Sequence, residues 1–338
     1  PKVPADDWVW IIDHLTQIGQ ESCFLVTGIR LRNLPPPGES MALEDLEPIA
    51  ILPVTKSTGE VVHQQLESQV PKTGVPRAIL ADRCNDLQNG LRRFGKAHAE
   101  TSMLYDVAHK AACLLQARLE RNPRWKSFCS KVGQTKYQTQ QTELAFLVPP
   151  TQRSKARYMN LESLLGWANR VLAVIDCQPP EIMRYCTAVR LKEKFGWLRN
   201  YRDDVTEWSE YQAVAKKAVH FIRCYGFYRG ANVELAKQLR PLIRTDRGEV
   251  LANEFITFVA EQSAQTQDQE RLPGSSEVLE SSFGKFKFLE GEQAKGGFTS
   301  SILAYAALLG KTTADTVEQA LKCVQTKHVK TWCQQHLG

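Results

Sequence analysis

The chain has 338 residues, of which 43% are hydrophobic and 24% are charged, a composition that excludes a disordered or fibrous protein. With about 150 residues expected per domain, this length predicts one large domain or two coupled domains. The formal net charge of +6 comes from the middle of the sequence, because residues 151–240 carry +7, residues 1–150 carry +1 and residues 241–338 carry −2.

Residues 1–119 alternate between runs rich in aromatic and β-branched residues, which predict strands, and segments with apolar residues three or four positions apart, which predict helices. The predicted elements are strands at residues 8–15, 22–29 and 49–54, a helix at 59–70, a strand at 77–82, a helix at 85–94, a strand at 102–106 and a helix at 107–119. A hairpin and a third strand before the first helix form the layout of the ribonuclease H-like fold. Dinucleotide-binding folds alternate strand and helix from the start.

The middle of the chain has helical periodicity. Helices are predicted at 161–174, 181–197, 211–225, 233–242 and 248–262, a loop at 263–276, and further helices from near Ser276, at 298–309 and at 313–334. The predicted fold class is therefore α/β, a ribonuclease H-like mixed β-sheet flanked by helices and interrupted by a large all-α insertion domain. The expected domains are 1–125 for the first part of the core with its five strands, 126–270 for the helical insertion, and 271–338 for the C-terminal helices of the core.

Two aspartates lie in or at the end of predicted strands. Asp13 interrupts the apolar run at 8–15, where an ionised carboxylate is costly to bury unless it is paired or binds a cation. Asp82 ends the strand at 77–82, and ligands of an open α/β sheet collect at the carboxyl ends of its strands. The alternatives are a solvent-facing Asp13 and an Asp82 that caps the next helix.

The third acidic candidate, Glu280, lies on a late predicted helix, with Glu277 one turn before it and Lys287 two turns after it on nearly the same face. Such a pattern suits a metal ion with a phosphate beside it, and an amphipathic surface helix has the same pattern. Two hard divalent cations about 3.5–4 Å apart need several carboxylate oxygens from different elements. Asp13, Asp82 and Glu280 together therefore predict a two-metal site.

Three blocks of sequence that contain these acids resemble the catalytic blocks of bacterial insertion-sequence DDE transposases. They are WVWIIDH at residues 8–14, ILADR at 79–83 and EVLESSFGKFK at 277–287. The resemblance covers residues 5–125 and 270–310. The helical middle matches only in kind, since several such transposases carry a large insertion between the fifth strand and the helix with the glutamate.

The resemblance implies a DNA transposase that uses two Mg²⁺ ions, with Mn²⁺ as a substitute, to cleave DNA at transposon ends and to transfer the strands into target DNA. It implies that Asp13 bridges both ions, that Asp82 binds one and that Glu280 binds the other. Glu277 competes for the last role, and Glu280 is preferred for its family-like Glu-Ser-x-Phe-Gly-Lys context. The resemblance also implies a homo-oligomer, usually a dimer, on paired DNA ends.

The basic middle segment favours a nucleic-acid partner, because neutralising phosphates releases counterions, although a solvated helical surface has the same charge. An aromatic residue of the insertion can stack on an extruded base, and Trp197 is the candidate. For Trp197, as for Trp167 and Trp208, a place in the helical core is the alternative. Lys287 resembles the lysine of a Glu-x6-Lys pattern, whose accompanying arginine and tyrosine are missing here. The candidate DNA-binding residues are Arg83, Trp197, Arg199, Lys285 and Lys287.

Asp106 ends the predicted strand at 102–106, with His109 three positions later. Asp106 is either an auxiliary metal ligand with His109 nearby, or the cap of the helix that begins at residue 107. His109 has no cysteine or second histidine at the spacing of zinc ligands, so no zinc site is predicted.

No run approaches the roughly 18 apolar residues that span a bilayer, and residues 1–7 lack a signal-peptide layout. The nine cysteines are scattered without a Cys-x-x-Cys pair. A cytoplasmic protein with reduced core thiols and no membrane contact is therefore expected. The first predicted strand begins at residue 8 and no helix-turn-helix for end recognition is apparent, which is expected of a fragment of a longer transposase.

Other functions stay open at this point. The chain is alternatively a ribonuclease H-like DNA nuclease, a domesticated transposase without strand transfer, or a non-enzymatic helical DNA-binding protein whose acids are incidental. The positions of Asp13, Asp82 and Glu280 discriminate among them, because carboxylates that share two closely spaced ions lie within roughly 6–8 Å of one another.

Overall fold

A computed structural model describes residues 2–18, 21–54, 56–152, 158, 161–291, 305, 308–309 and 313–336 of the chain. The chain divides into two compact units. The first, which we call the sheet unit, contains Pro1–Val107, Phe221–Ala231 and Ala260–Gly338. The second, the helical unit, contains Ala108–His220 and Asn232–Val259.

The sheet unit is an α/β structure built on a five-stranded mixed sheet. Its strands are Trp8–Ile18 (β1), Glu21–Arg30 (β2), Glu47–Val54 (β3), Ala78–Ala81 (β4) and Ser102–Tyr105 (β5). The order across the sheet is β3-β2-β1-β4-β5. The hairpin partners β1 and β2 are antiparallel, as are β2 and β3, whereas β4 pairs parallel to both β1 and β5. All five predicted strands are confirmed, with bounds that differ by a few residues.

Both faces of the sheet are covered at the start of β1, because the consecutive residues 8–12 are all buried. Trp8, Trp10 and Ile12 point to one face, where they form a core with the helices Gly59–Glu67 (α1) and Asn85–Ala97 (α3). Val9 and Ile11 point to the other face, and they are equally buried. The sequence of residues 8–12 is therefore a continuous apolar run, as expected of a strand segment that is buried on both sides.

The helices α1 and α3 approach each other closely at two glycines. Gly59 of α1 lies against Asn89, and Gly90 of α3 lies against Val62 and the carbonyl oxygen of Gly59. Neither position has room for a Cβ atom, so the backbones of the two helices are nearly in contact. A short helix, Val70–Thr73 (α2), follows α1.

The segment Phe221–Ala231 belongs to the sheet unit through a two-residue antiparallel bridge. The backbone N–H of Phe227 donates to the carbonyl of Leu272 (2.7 Å), and the N–H of Leu272 donates back (2.9 Å). Gly274 packs against Ile222 and Phe227 at distances that exclude a side chain. This bridge fixes the segment that leads into the next helix, Glu277–Gly291 (α12).

The helical unit contains no strand in the part of it that the structure describes. The helices from Val107 to Ser263 are Val107–Leu119 (α4), Pro123–Thr139 (α5), Glu162–Cys177 (α6), Pro180–Met183 (α7), Ala188–Phe195 (α8), Arg202–Tyr225 (α9), Ala231–Leu239 (α10) and Asp246–Ser263 (α11). Its core is aromatic: Trp125 packs edge-to-face on Trp208, and Phe128 lies between them and Trp197.

Some predicted helices differ from the observed ones. The single helix predicted at 181–197 is wrong, because the chain forms α7, a turn, α8 and then a 3₁₀ helix at Gly196–Tyr201. The side chain of Thr187 caps α8 and so starts a new helix there. The helix α5 was not predicted. The C-terminal helix predicted at 313–334 is two helices, Ala314–Cys323 (α13) and Thr326–His336 (α14), and most of 298–309 lies outside the described residues.

No helix among the described residues is long and apolar enough to cross a membrane. No disulfide joins the eight cysteines that the structure describes. Cys23, Cys186 and Cys224 are buried, as predicted for core thiols, whereas Cys113, Cys177 and Cys323 are exposed, so the prediction of core thiols is wrong for these three.

Candidate functional site

Three aspartates lie side by side at the edge of the sheet where β4 and β5 end. Asp82 and Asp106 directly follow these two strands, and Asp13 lies at the same level in the middle of β1. The paired residues are Ile11 with Leu80 and Ala81 with Tyr105. Continuing each register by one or two residues places Asp13 beside Asp82, and Asp82 beside Asp106. Neighbouring strands lie about 4.8 Å apart, so the backbones of these three residues form a row, which we call the acidic row.

Asp13 is half-buried, and its Oδ1 accepts the backbone N–H of His14 (2.7 Å). The negative charge of the aspartates at this edge influences the pKa of two neighbouring residues, Tyr305 and His14. Burial raises the pKa of the buried phenol of Tyr305, and the negative charge of Asp13 raises this pKa further. Burial lowers the pKa of His14, although Asp82 and Asp86 oppose that effect. The electrostatic influence of Asp82 therefore reaches the strand that carries Asp13.

Asp82 is half-buried and begins the turn between β4 and α3. Its Oδ1 accepts the backbone N–H of Cys84 (2.9 Å), and its backbone carbonyl accepts from the Gln88 side chain (3.1 Å). The N-cap position of α3 is Cys84, so Asp82 stabilises the entry to this helix from two residues earlier. The exposed side chain of Arg83 lies over the ring of Tyr105, 4.4 Å from its centroid, which holds the guanidinium at the edge of the sheet.

The helix α12 carries Glu277 and Glu280 and packs beside β1. Its buried side consists of Val278, Leu279 and Ser282. Glu280 lies on the opposite side of the helix and is exposed.

The charged neighbours of Glu280 on α12 differ in their surroundings. Glu277 forms an ion pair with Arg223 (3.2 Å). Lys285 is exposed, and the side chain of Lys287 lies outside the described residues.

Among the residues that the structure describes, no three His, Cys, Asp or Glu side chains lie close enough to hold one metal ion. The structure thus brings Asp13 and Asp82 to neighbouring positions on the parallel strands β1 and β4, and it does not bring Glu280 into a metal cluster with them. The predicted two-metal set is incomplete in this conformation. Asp13 and Asp82 still fit a divalent cation chemically, because carboxylate oxygens are the donors that hard cations prefer.

Asp106 is fully buried and directly precedes α4. Its Oδ2 accepts the backbone N–H of Ser276 (2.5 Å) and the Ser276 hydroxyl (3.0 Å). Neither sequence-based interpretation of Asp106, as a metal ligand or as the cap of α4, includes this hydrogen bond to Ser276, which lies 170 positions away in the chain. His109 is half-buried in the first turn of α4.

The tryptophans proposed for base stacking are parts of the core of the helical unit. Trp167 is buried and its indole N–H donates to the carbonyl of Leu147 (2.8 Å), and Trp208 is buried against Trp125. The half-buried Trp197 donates to the Thr135 hydroxyl (3.0 Å). These contacts favour the core interpretation for all three.

Arg199 and Trp197 belong to the same 3₁₀ helix. Arg199 is exposed and lies 3.6 Å from Asp176, while the ammonium of Lys131 lies over the Trp197 ring at 5.8 Å. Both basic side chains thus have partners within the helical unit.

Two further side-chain pairs near the acidic row were not identified from the sequence. Ser57 Oγ lies 2.9 Å from His14 Nε2, and the Ser282 hydroxyl forms a hydrogen bond with Tyr305. Both join residues far apart in the chain, and no local pattern marks them. Comparison with known proteins identifies no family, because no protein-family model and no curated protein matches this chain.

Proposed function

We propose that this chain is the catalytic core of a DDE transposase, which cleaves DNA strands at transposon ends and transfers them into target DNA with the help of divalent metal ions. The observation that carries the proposal is the placement of Asp13 and Asp82 on neighbouring parallel strands. Their strands belong to a sheet ordered β3-β2-β1-β4-β5. That order, with β2 antiparallel to its neighbours, is the arrangement expected of a ribonuclease H-like core, and it supports this finer assignment.

In the proposed reaction Asp13 and Asp82 hold divalent cations at the edge of the sheet, and Glu280 completes the set. When bound, two Mg²⁺ or Mn²⁺ ions activate water or a DNA 3′-hydroxyl for attack on a phosphodiester and stabilise the leaving oxygen. The chain supplies carboxylates at neighbouring positions of β1 and the end of β4, held by backbone hydrogen bonds from His14 and Cys84. Because Glu280 is exposed on α12, its participation requires that α12 move or turn when DNA binds.

The DNA contacts proposed for the sheet unit lie beside this edge. Arg83 is adjacent to Asp82 and is held over Tyr105, and Lys285 is exposed on α12. Exposed cations beside carboxylates that hold metal ions suit the phosphates that flank a cleavage point. Assembly as a dimer on two DNA ends, and a cytoplasmic location, belong to the same proposal.

The proposal is tested by incubating the purified chain with supercoiled plasmid in Mg²⁺ or Mn²⁺ and measuring nicked and linear products. We expect Asp13→Asn, Asp82→Asn and Glu280→Gln each to reduce cleavage more than about a hundredfold, a larger loss than removal of a supporting residue around a metal causes. Glu277→Gln tests the competing assignment, since it removes a carboxylate one turn away on the same helix, and Asp268→Asn, which removes an exposed carboxylate, is the control. Cleavage that persists in Asp13→Asn would overturn the assignment.

Strand transfer is tested separately with duplex oligonucleotides taken from the DNA that flanks the coding sequence. Joining of a pre-cut 3′ end to plasmid is expected of a transposase. Cleavage without joining would instead support a ribonuclease H-like nuclease or a domesticated transposase. Metal-independent DNA binding without cleavage would support the non-enzymatic alternative, which the separation of Glu280 from the two aspartates favours.

A further inference from the structure

The carboxylate of Asp106 lies at the junction of β5 and α12, inside the sheet unit. The side chain is 0% exposed, and Ser275 and Ser276, which precede α12, are buried as well. A buried carboxylate is stable only where hydrogen bonds or opposite charge compensate the loss of hydration. The partners of Asp106 therefore indicate what the residue does.

Two hydrogen bonds join the Asp106 side chain to Ser276. One oxygen, Oδ2, accepts the Ser276 backbone N–H at 2.5 Å and the Ser276 hydroxyl at 3.0 Å. Ser276 immediately precedes α12, whose first turn has unpaired N–H groups and a partial positive charge. Asp106 thus provides, from a distant part of the sequence, an acceptor for the backbone N–H of the N-cap residue, which in a capping box is provided by the N3 side chain of the helix itself.

The backbone around Asp106 connects the same helix to β4. The Asp106 N–H donates to the carbonyl of Ala81 (3.0 Å), the residue before Asp82. The next N–H, of Val107, donates to the carbonyl of Gly274 (3.0 Å), two residues before Ser276. One short segment at the end of β5 therefore bonds to the residue before Asp82 on one side and to the start of α12 on the other.

The geometry points to Asp106 as a positioning residue, which fixes the N-terminus of α12 and thereby sets where Glu280 lies relative to Asp82. This inference rests on the proposed function for the role of Glu280. It also assigns the third member of the acidic row a task other than metal binding. This task follows from two observations: the Asp106 side chain is 0% exposed, and its Oδ2 accepts both hydrogen bonds from Ser276 inside the fold.

Two substitutions distinguish the effect of the negative charge of Asp106 from the effect of its hydrogen-bond acceptor. Asp106→Asn keeps a carbonyl oxygen that can accept both bonds from Ser276, and Asp106→Ala removes it. We expect Asp106→Asn to retain cleavage within about tenfold of the unmodified chain, whereas Asp106→Ala loses more than about tenfold. Ser276→Ala, which removes one of the two donors, is expected to fall between them. Asp268→Asn, which removes an exposed carboxylate of the same unit, is the control.

A second readout does not depend on activity. Hydrogen exchange of the backbone amides at 277–283 reports how firmly the first turns of α12 are held. We expect exchange to accelerate roughly fivefold or more in Asp106→Ala, the loss that follows removal of a capping acceptor. Exchange in Asp106→Asn and Asp268→Asn is expected to match the unmodified chain.

The outcomes separate this inference from the proposed function. If Asp106→Asn is as inactive as Asp13→Asn while exchange of α12 is unchanged, Asp106 is a metal ligand and the positioning role is wrong. Unchanged exchange and activity in Asp106→Ala would also overturn it. If the unmodified chain cuts no DNA, the proposed function fails, and accelerated exchange in Asp106→Ala still supports Asp106 as the residue that positions α12.

Discussion

Arg77 and Glu270 form a two-point ion pair within the sheet unit, with Nε 2.8 Å from Oε1 and Nη2 2.6 Å from Oε2. Both side chains are only 11% exposed. Arg77 also donates to the Ser102 hydroxyl (2.7 Å) and to the carbonyl of Gln265 (2.8 Å). One guanidinium thus joins the start of β4, the start of β5 and the segment that follows α11.

Arg77→Ala is expected to lower the free energy of unfolding by about 3–5 kcal/mol, because it leaves the Glu270 carboxylate buried without its partner. Arg77→Lys is expected to recover only part of this loss, since an ammonium cannot form the planar two-point pair. The matched control is Arg93→Ala, whose pair with Glu60 is 56% and 50% exposed and contributes less than about 1 kcal/mol. Urea unfolding followed by fluorescence measures all three, and equal losses in Arg77→Ala and Arg93→Ala would contradict the prediction.

Gly248→Ala is expected to destabilise the helical unit by about 2–3 kcal/mol. A Cβ atom at this position would overlap the buried carboxylate of Glu210, whose Oε1 accepts the N–H groups of Arg244 (2.7 Å) and Thr245 (3.1 Å). Gly133→Ala is the control, because nothing lies within 4 Å of its site on α5. That change is expected to stabilise the chain by about 0.5–1 kcal/mol. Thermal unfolding compares the two, and a Gly248→Ala chain as stable as the parent would refute the overlap.

The ionisation of the Tyr211 phenol is expected to lower the free energy of unfolding at high pH. Burial raises the pKa of Tyr211 above its ordinary value of 10.0, and the hydrogen bond to Glu207 raises it further. The unfolded chain therefore loses this proton first as the pH rises through 10, and the folded state loses stability from that pH upward. Tyr211→Phe removes this contribution. The difference in urea midpoint between the two chains is expected to be constant below pH 9 and to shrink above pH 10, and a difference that does not change would contradict the assignment.

Cys84 is expected to react slowly with iodoacetamide. Burial raises the pKa of its thiol to about 11, and the charges of Asp82 and Asp86 contribute to the shift. At pH 8 only roughly one molecule in a thousand then carries the reactive thiolate. Mass spectrometry of the labelled chain is expected to find Cys177, which is exposed, modified more than tenfold faster. Labelling in urea, where the difference should vanish, is the control, and equal rates in the folded chain would contradict the prediction.

The sheet could be predicted from the sequence because its signals are local. The run Trp8 to Ile12 and the four residues of β4 are apolar on both faces and are bounded by turn residues, so they indicate buried strands without any knowledge of their partners. The helix α5 was not predicted, although Asn122 before Pro123 is a typical helix start and Trp125, Phe128 and Val132 have helical spacing. Two of its five buried positions are threonines, and its lysines further obscure the apolar stripe.

The candidate site was only partly predictable for a physical reason. Asp13 and Asp82 are marked by their own strands, so the sequence identifies them as candidate metal ligands. A helical pattern places Glu277 and Glu280 close together on α12, but it does not say which side of the helix faces the sheet. That choice depends on Val278, Leu279 and Ser282, whose burial is a property of the folded unit. The bond between Asp106 and Ser276 crosses 170 positions and has no local signature.

The backbone contact of α1 with α3 at Gly59 and Gly90 limits where the sheet unit can rearrange. Two helices whose backbones meet without intervening side chains move together, so α1 and α3 form a rigid layer on one face of the sheet. The helix α12 packs through Val278 and Leu279 and is also held by the hydrogen bonds of Ser276 to Asp106 and of Ser282 to Tyr305. Under the proposed function, a movement that carries Glu280 toward the two aspartates would therefore have to alter these contacts of α12, while α1 and α3 keep their places.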